Sequence, residues 1–292
     1  MHHIEDNCGG CPWIAATIEC QRAEKQHAVE REISRISKDA LVHSIRTDVP
    51  EWGYRRRSRL GYRDQTAGFR RRNERRVFNL ERCLVLDPRL NAALPDLRAE
   101  IASRTGRHKS GNVDFAIDYN GNVAIDGPAR VFLQPSATTE SVLIELVSNA
   151  VPKTNTHIGE LFAGAGTFTA PLIDKGHCVT AWEIDKRSVK SLRLRCPNAK
   201  VHQLDLFKKI ERLDLSGVDI VLLDPPRAGA KECMPAILKS RATKVIYVSC
   251  DLATLCRDLR ILQDGGFTIT DVMPVDAFPQ TPHIECVTVL NR

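Results

Sequence analysis

A thiol and several carboxylates in this chain stand where strands should end. The run Val245-Ile246-Tyr247-Val248 is β-branched and aromatic, the pattern of a buried strand, and it stops at Ser249-Cys250-Asp251. A lone cysteine is most often a packing residue. At the mouth of a strand, where a ligand can reach it, a sulfur that loses its proton is a nucleophile. A second strand, in "VDIVLLDPPRAG", delivers Asp224 ahead of Pro225 and Pro226. Two prolines fix φ and stiffen the backbone, so this carboxylate gains a rigid place at the sheet edge where open α/β sheets bind ligands. A plain strand-ending turn is the rival reading. It is disfavoured because the stretches converge on one edge.

The stretch "HIGELFAGAGTFTAPL" ends a strand at Glu160-Leu161-Phe162 and turns through Gly164 and Gly166 into a helix. Small residues there let a ligand approach the backbone at a helix N-terminus. Nineteen residues past Gly164, the strand "VTAWEID" presents Glu183, placed to accept hydrogen bonds from a ribose. The third glycine of a dinucleotide fingerprint is missing, and Phe168 stands near its position. S-adenosylmethionine is therefore favoured over a nicotinamide dinucleotide. In "TPHIECVTVL" a further carboxylate, Glu285, opens an apolar strand, an odd place for surface charge.

These residues need a sheet to hold them. Residues 45–130 read as short strands broken by Gly, Asp and Asn, including "SRLGYRD", "RVFNLERCLVL" and a hairpin in "FAIDYNGNVAIDG" turning over Tyr119–Asn122. Residues 21–38 have helical spacing (Ala28, Val29, Ile33, Ile36). From about 140 the pattern becomes strand, loop, helix. A helix over 138–150 precedes strands at 157–162, 178–183, 200–203, 218–223, 245–249, 267–275 and 284–290. Alternation of this kind predicts an α/β fold with a doubly wound, mostly parallel sheet, Rossmann-like, beside a smaller β-rich N-terminal domain carrying a Cys cluster. The expected division is a Cys-cluster segment and helix at 1–40, a basic β-rich domain at 41–130 and a cofactor-binding α/β domain at 131–292.

Charge narrows the partner. The chain of 292 residues carries net +6, yet residues 54–82 alone hold 11 Arg, no Lys and 3 acids, net +8, interleaved with Tyr54, Tyr62, Phe69 and Phe78. Arginine forks suit phosphates and aromatics stack on bases, so nucleic acid is the expected partner; a solvated sheet face would mix Lys with Arg and balance the signs. No run approaches the roughly 20 apolar residues that cross a bilayer. The start, "MHHIEDNCGGCPW", lacks the apolar core of an export signal, so a cytoplasmic location with reduced thiols is the expectation for the ten cysteines. No membrane and no obligate protein partner are expected. Cys256 reads as helix packing.

In this order, "LFAGAGTFTAPL", "DPPRAG", "YVSCDLATLCRDL" and "TPHIECV" resemble the S-adenosylmethionine-dependent uracil-5 RNA methyltransferases. "GFRRRNERRVFNLERCLVL" and "FLQPSATT" resemble that family's central segment and the start of its cofactor site, so the resemblance runs from Cys8 to the end. It implies that Cys250 adds to C6 of a uracil and that Glu285 removes the C5 proton after methylation. Gln134, Phe162 and Glu183 match family cofactor contacts. Asp224 would touch cofactor or uracil, and Asp205 in "HQLDLF" would lie on the adenine side. Where the family has a polar residue two positions after the glutamine, Ser136 stands here and is expected to replace its contact. The family's N-terminal β-barrel extension is not in this sequence, which shifts RNA grip to the Arg-rich segment. The nearest branch modifies 23S ribosomal RNA, with transfer RNA second. Cytosine-5 methylation, which uses the same thiol chemistry, and a non-catalytic metal-containing RNA-binding protein are the other readings; the Cys250–Glu285 pair argues against both.

"CGGC", Cys8 and Cys11, resembles the family's iron–sulfur segment, and Cys83 in "LERCLVL" its distant ligand. The resemblance implies a [4Fe-4S] cluster, which takes four thiolates. His2 and Cys20 are the candidates for the fourth position. A Cys₃His zinc site and no metal at all remain alternatives.

Overall fold

The computed structural model describes residues 8–74, 76–104, 109–118, 120–130, 133–153 and 155–292. His2 and Tyr119 therefore lie outside the described residues. In chain order the strands are β1 (Leu41–Val42), β2 (Arg57–Arg63), β3 (Thr66–Gly68), β4 (Ser110–Ile117), β5 (Val123–Ile125), β6 (His157–Leu161), β7 (Cys178–Glu183), β8 (Lys200–Gln203), β9 (Ile220–Leu223), β10 (Lys244–Ser249), β11 (Thr268–Val275) and β12 (Glu285–Asn291). The α-helices are α1 (Ile18–Ser34), α2 (Pro88–Ala92), α3 (Leu94–Ala102), α4 (Ala137–Ala150), α5 (Thr169–Asp174), α6 (Lys186–Arg195), α7 (Met234–Lys239) and α8 (Leu252–Asp264).

The chain forms two compact units, one of Met1–Gln21, Asp48–Thr139 and Phe278–Pro282, the other of Arg22–Thr47, Glu140–Ala277 and His283–Arg292. These differ from the three contiguous segments read from the sequence. Most of α1 falls in the second unit because Val29 and Ile33 are buried in its core. Residues 278–282 return to the first unit, where Trp13 N–H donates to the Gln280 carbonyl and the Tyr54 hydroxyl to that of Pro279.

The second unit holds an eight-stranded sheet in the order β1-β11-β12-β10-β9-β6-β7-β8. Strands β10, β9, β6, β7 and β8 run parallel, and β12 lies antiparallel between β10 and β11. All four residues of β9 and five of six in β10 are buried, as a sheet covered on both faces requires. The parallel strands all end on one edge, and β12, running the other way, begins there. Helix α1 is fastened to the end of β11 by a buried ion pair, Lys25 Nζ to Asp276 at 2.5 Å, with Arg22 Nε at 3.1 Å.

The first unit holds an antiparallel sheet in the order β3-β2-β4-β5. The expected hairpin is present: Ile117 pairs with Val123, and Asp118 Oδ1 accepts from the Asn120 and Asn122 N–H groups. The expected strand in "RVFNLERCLVL" does not form. Its peptide groups are satisfied one at a time instead: Phe78 and Leu80 donate to Phe69 and Ala67, and the Asn91 side chain bonds Cys83 N–H and the carbonyls of Cys83 and Leu86. Leu80, Cys83, Val85 and Leu86 can therefore all be buried, which an alternating strand would not allow.

Candidate active site

The register of β10 against β12 brings the thiol and the last carboxylate together. The ladder pairs Ser249 with Cys286. Cys250 directly follows β10 and Glu285 opens β12, so both stand next to that rung, and Glu285 is close enough to raise the Cys250 thiol. Cys250 is half-buried and Glu285 is 5% exposed. Burial, then the Glu285 and Asp224 carboxylates, push the Cys250 thiol up to about 12, against the pull of the Arg227 guanidinium. Burial and Asp224 likewise hold Glu285 well above the usual carboxylate range, and Arg227 again opposes. Burial and neighbouring carboxylates thus raise both groups, with one cation beside them. Behind the thiol, Asp251 caps α8 by accepting from Thr254 N–H at 3.0 Å.

Asp224 follows β9 directly, and α8 pins the loop after it. Thr254 Oγ1 donates to the Arg227 carbonyl at 3.0 Å and Arg257 Nη2 to that of Ala228 at 2.9 Å. Asp258, fully buried, accepts from Ala230 N–H at 2.7 Å, the Tyr247 hydroxyl at 2.8 Å and Arg257 Nε at 2.8 Å. Arg227 itself reaches the His283 ring at 3.0 Å. Sequence reasoning assigned no role to Asp258 or Arg227. The available signal was an aspartate on the apolar face of α8, three residues after Leu255 and four before Leu262.

The glycine turn supplies a second set of groups on the same edge. Phe162, Gly164 and Gly166 all have positive φ, at 60°, 56° and 90°. A Cβ on Gly164 would meet nothing within 4 Å, so open space lies over that peptide. Glu183 folds back beneath it: Oε2 accepts from Gly164 N–H, and Oε1 from the Ile184 and Asp185 N–H groups, all at 2.8 Å. The Phe162 and Phe207 rings lie 5.6 Å apart, and Asp205 Oδ1 holds that neighbouring turn by accepting from Phe207 and Lys208 N–H. Glu160, a residue with no role in the sequence reading, is 1% exposed; its Oε2 accepts from Thr169 Oγ1, and its Oε1 has no partner among the described residues. Burial, with Asp224 and Glu183 adding to it, raises its carboxyl to about 8. An open backbone cradle, an engaged carboxylate and an orphaned carboxyl oxygen suit a ligand rich in donors, as the ribose and ammonium of S-adenosylmethionine are.

Gln134 belongs to the first unit. It is 2% exposed, and its carbonyl accepts from Arg56 Nε at 2.9 Å. The Ser136 hydroxyl is committed to the start of α4, accepting from Thr139 N–H and bonding Thr139 Oγ1, both at 2.8 Å.

In the same unit Cys8 and Cys83 are buried and Cys11 is half-buried. Burial, then the neighbouring Cys83 and Cys8, push the Cys11 thiol up to about 12, while Arg55 and Arg72 oppose. Cys20 is exposed on the first turn of α1. Among the described residues no three His, Cys, Asp or Glu side chains stand in metal-holding geometry. Also among the described residues, no helix is long and apolar enough to cross a membrane.

The 23S rRNA (uracil(1939)-C(5))-methyltransferase RlmD of Histophilus somni is 26% identical over 98% of this chain and 80% of that protein. The protein of the same name from Salmonella choleraesuis is 28% identical over the same shares. The crystal structure of Pyrococcus abyssi tRNA (uracil-54, C5)-methyltransferase with S-adenosyl-L-homocysteine has the same fold, with a TM-score of 0.80 at 18% identity, covering 97% of this chain and 84% of that one. The family described as tRNA (Uracil-5-)-methyltransferase matches residues 119–292, more than half of the sequence. The chain accordingly belongs to the tRNA (uracil-5-)-methyltransferase family and is an S-adenosylmethionine-dependent RNA uracil-5-methyltransferase.

Proposed function

We propose that this enzyme methylates C5 of a uridine in 23S ribosomal RNA, with Cys250 as nucleophile and Glu285 as base. The observation that supports the assignment of roles is the Ser249–Cys286 rung, beside which residues 250 and 285 both lie. Uracil C5 is a poor nucleophile. Once the Cys250 thiol gives up its proton and its sulfur bonds to C6, the ring becomes an enolate whose electrons lie on C5. S-adenosylmethionine supplies an electrophilic methyl group, which C5 takes. Glu285 then removes the proton remaining on C5, and the returning electrons expel the sulfur from C6. The base must be ionised for that step. The Arg227 guanidinium is the cation of this chain that favours the carboxylate against burial and Asp224.

On this reading Glu183 receives the ribose hydroxyls, Phe162 packs on the adenosyl group and Asp205 lies on its adenine side. Gln134 contributes a further cofactor contact, and Asp224 orients the cofactor or the uracil. The target base must leave its stack to meet the thiol.

Cys8, Cys11 and Cys83 are the proposed ligands of a [4Fe-4S] cluster. The donor chemistry suits it, because three thiols are electrostatic neighbours beside two arginines, and bound iron would replace their protons. The fourth ligand is sought in residues 1–7, where His2 lies, or in Cys20. The role is structural, holding the segment against the basic sheet.

Ribosomal RNA is favoured over transfer RNA because the curated relatives named above, which the chain matches almost end to end, carry that name. The test is incubation with labelled S-adenosylmethionine and total RNA, followed by digestion and mass spectrometry. Label in 5-methyluridine within 23S fragments is expected. Label confined to transfer RNA would move the substrate, and no label in any RNA would overturn the activity.

A further inference from the structure

We propose that a cavity on the first unit, lined by Arg63, Arg70, Arg76, Tyr62, Val77 and Gly111, grips the RNA phosphodiester backbone. The proposal rests on the reading of this enzyme as an RNA methyltransferase and names where its polynucleotide is held.

Strand β2 explains the cationic wall. Its burial alternates so that Ser58, Leu60 and Tyr62 face the core while Arg59 and Arg63 are exposed. Gly61 occupies an outward position between them. A Cβ there would come within 3.1 Å of Val77 Cγ2 and 4.0 Å of Arg70 Cγ, so the missing side chain leaves room for the next hairpin to lie across the strand. That hairpin is closed by the Arg70–Val77 bridge and by Arg71 N–H donating to the Arg76 carbonyl at 2.9 Å, which carries Arg70 and Arg76 to the rim. On the other side, Gly111 clears the Tyr62 hydroxyl, which a Cβ would approach to 3.1 Å. The cavity is open to solvent and has a volume of about 660 Å³, enough for a length of chain rather than a single ion.

The charge balance selects the occupant. Three guanidinium groups line the cavity against one carboxylate, that of Asp64. Several arginines elsewhere are matched to acids: Arg35 with Glu32, Arg89 with Asp87, Arg104 with Asp126. Arg63 and Arg76 make no ion pair among the described residues. Guanidinium forks meet phosphate oxygens in pairs. The one aromatic in the lining, Tyr62, is 5% exposed with its ring under the Arg104 guanidinium at 5.0 Å, so it offers no face for a base. The site therefore holds phosphates without reading sequence.

The test compares the full-length Arg63→Gln/Arg76→Gln variant with Arg31→Gln/Arg35→Gln, which removes the same charge from the last turn of α1 and the residue after it. The probe is a fluorescein-labelled, unstructured oligoribonucleotide of mixed sequence, titrated by anisotropy at several salt concentrations. Loss of two phosphate contacts should reduce the slope of log affinity against log salt by about 1.4 in the first variant. The slope of the α1 variant should stay that of the parent. Methyl transfer by the first variant should show a raised KM for RNA and an unchanged kcat. An unchanged slope in the first variant, or equal losses in both, would overturn the cavity. Failure of the activity reading is separately visible: the parent would transfer no label to any RNA, while the difference in slope between the two variants would still support the cavity.

Discussion

Cys250 lies one residue beyond the Ser249–Cys286 rung of the β10–β12 ladder, and Glu285, the first residue of β12, adjoins the same rung. The antiparallel register brings the two to one end of the ladder, although 35 positions separate them in the chain. The electrostatics make the pairing measurable. Glu285 and Asp224 raise the thiol and Arg227 lowers it. The pH at which iodoacetamide modifies Cys250, followed on its own peptide by mass spectrometry, should inflect well above the ordinary thiol range. Glu285→Gln removes a negative neighbour and should move that inflection down, and Arg227→Gln should move it up. Cys250→Ala should abolish methyl transfer while S-adenosylmethionine still binds. Glu285→Gln should accumulate a covalent protein–RNA adduct, seen as a retarded band on a denaturing gel. Movement of the inflection in the opposite directions would break the pairing.

Glu160 gives a prediction about stability. Its carboxyl is raised to about 8 in the folded chain, chiefly by burial, and returns to the ordinary carboxyl range on unfolding. The folded state therefore keeps a proton that the unfolded state loses. The stabilisation is complete below the unfolded value near 4.5 and drains away as pH rises, until it is gone above about 8. Across that window the loss approaches 1.4 kcal/mol per pH unit as a ceiling. Glu160→Gln should flatten this part of the curve of unfolding free energy against pH, measured by urea denaturation without ligand. Parent and variant curves that stay parallel from pH 5 to 8 would remove the buried acid from the account.

How much of this was written in the chain varies with the kind of contact. The parallel strands were legible because burial on both faces demands continuous apolar runs, and "VIYVS" and "VLL" have no other comfortable place. Strand ends were legible for the same reason, so Asp224, Glu183 and Cys250 could be placed on one edge. Asp258 was not, since its three partners come from β10, from its own helix and from the loop after β9, and no local spacing records that meeting. The segment holding Cys83 was misread as a strand because its apolar content is real; its hydrogen bonds, made by the Asn91 side chain, are not a local pattern.

The two turn glycines should separate folding from binding. Gly166 has φ +90°, and a Cβ there would come within 2.6 Å of Leu192 Cδ1, a buried side chain. Gly166→Ala combines backbone strain with overpacking and should cost about 1–3 kcal/mol, read from the shift in melting temperature. Gly164 has φ +56° with open space above it. Gly164→Ala should cost only about 1 kcal/mol, yet its methyl enters the space assigned to the cofactor, so calorimetry should show weakened binding of S-adenosylmethionine. Equal losses of binding in both variants, after correction for folded fraction, would detach the cofactor from that space.

The two glycines between Cys8 and Cys11 are packed differently. A Cβ on Gly9 would meet the Arg70 carbonyl oxygen at 2.5 Å, and one on Gly10 the Phe69 ring at 2.9 Å. Gly9 N–H donates to that same carbonyl at 2.9 Å, and Arg72 Nη2 donates to the Cys11 carbonyl at 2.8 Å. The segment thus lies flush against the arginine hairpin, with three thiols gathered beside it. If those thiols hold an iron–sulfur cluster, protein purified without oxygen should carry about four iron and four sulfide per chain, with broad visible absorbance. Cys83→Ser should lose both and melt at a lower temperature. Colourless protein with one zinc per chain would replace the cluster by a tetrahedral site, and metal-free protein whose melting is unchanged in Cys83→Ser would leave the thiols as packing. Gly9→Ala should disturb the hairpin whichever metal is bound, because the clash is with backbone, and its effect should appear as faster amide exchange at Arg70 and Arg71.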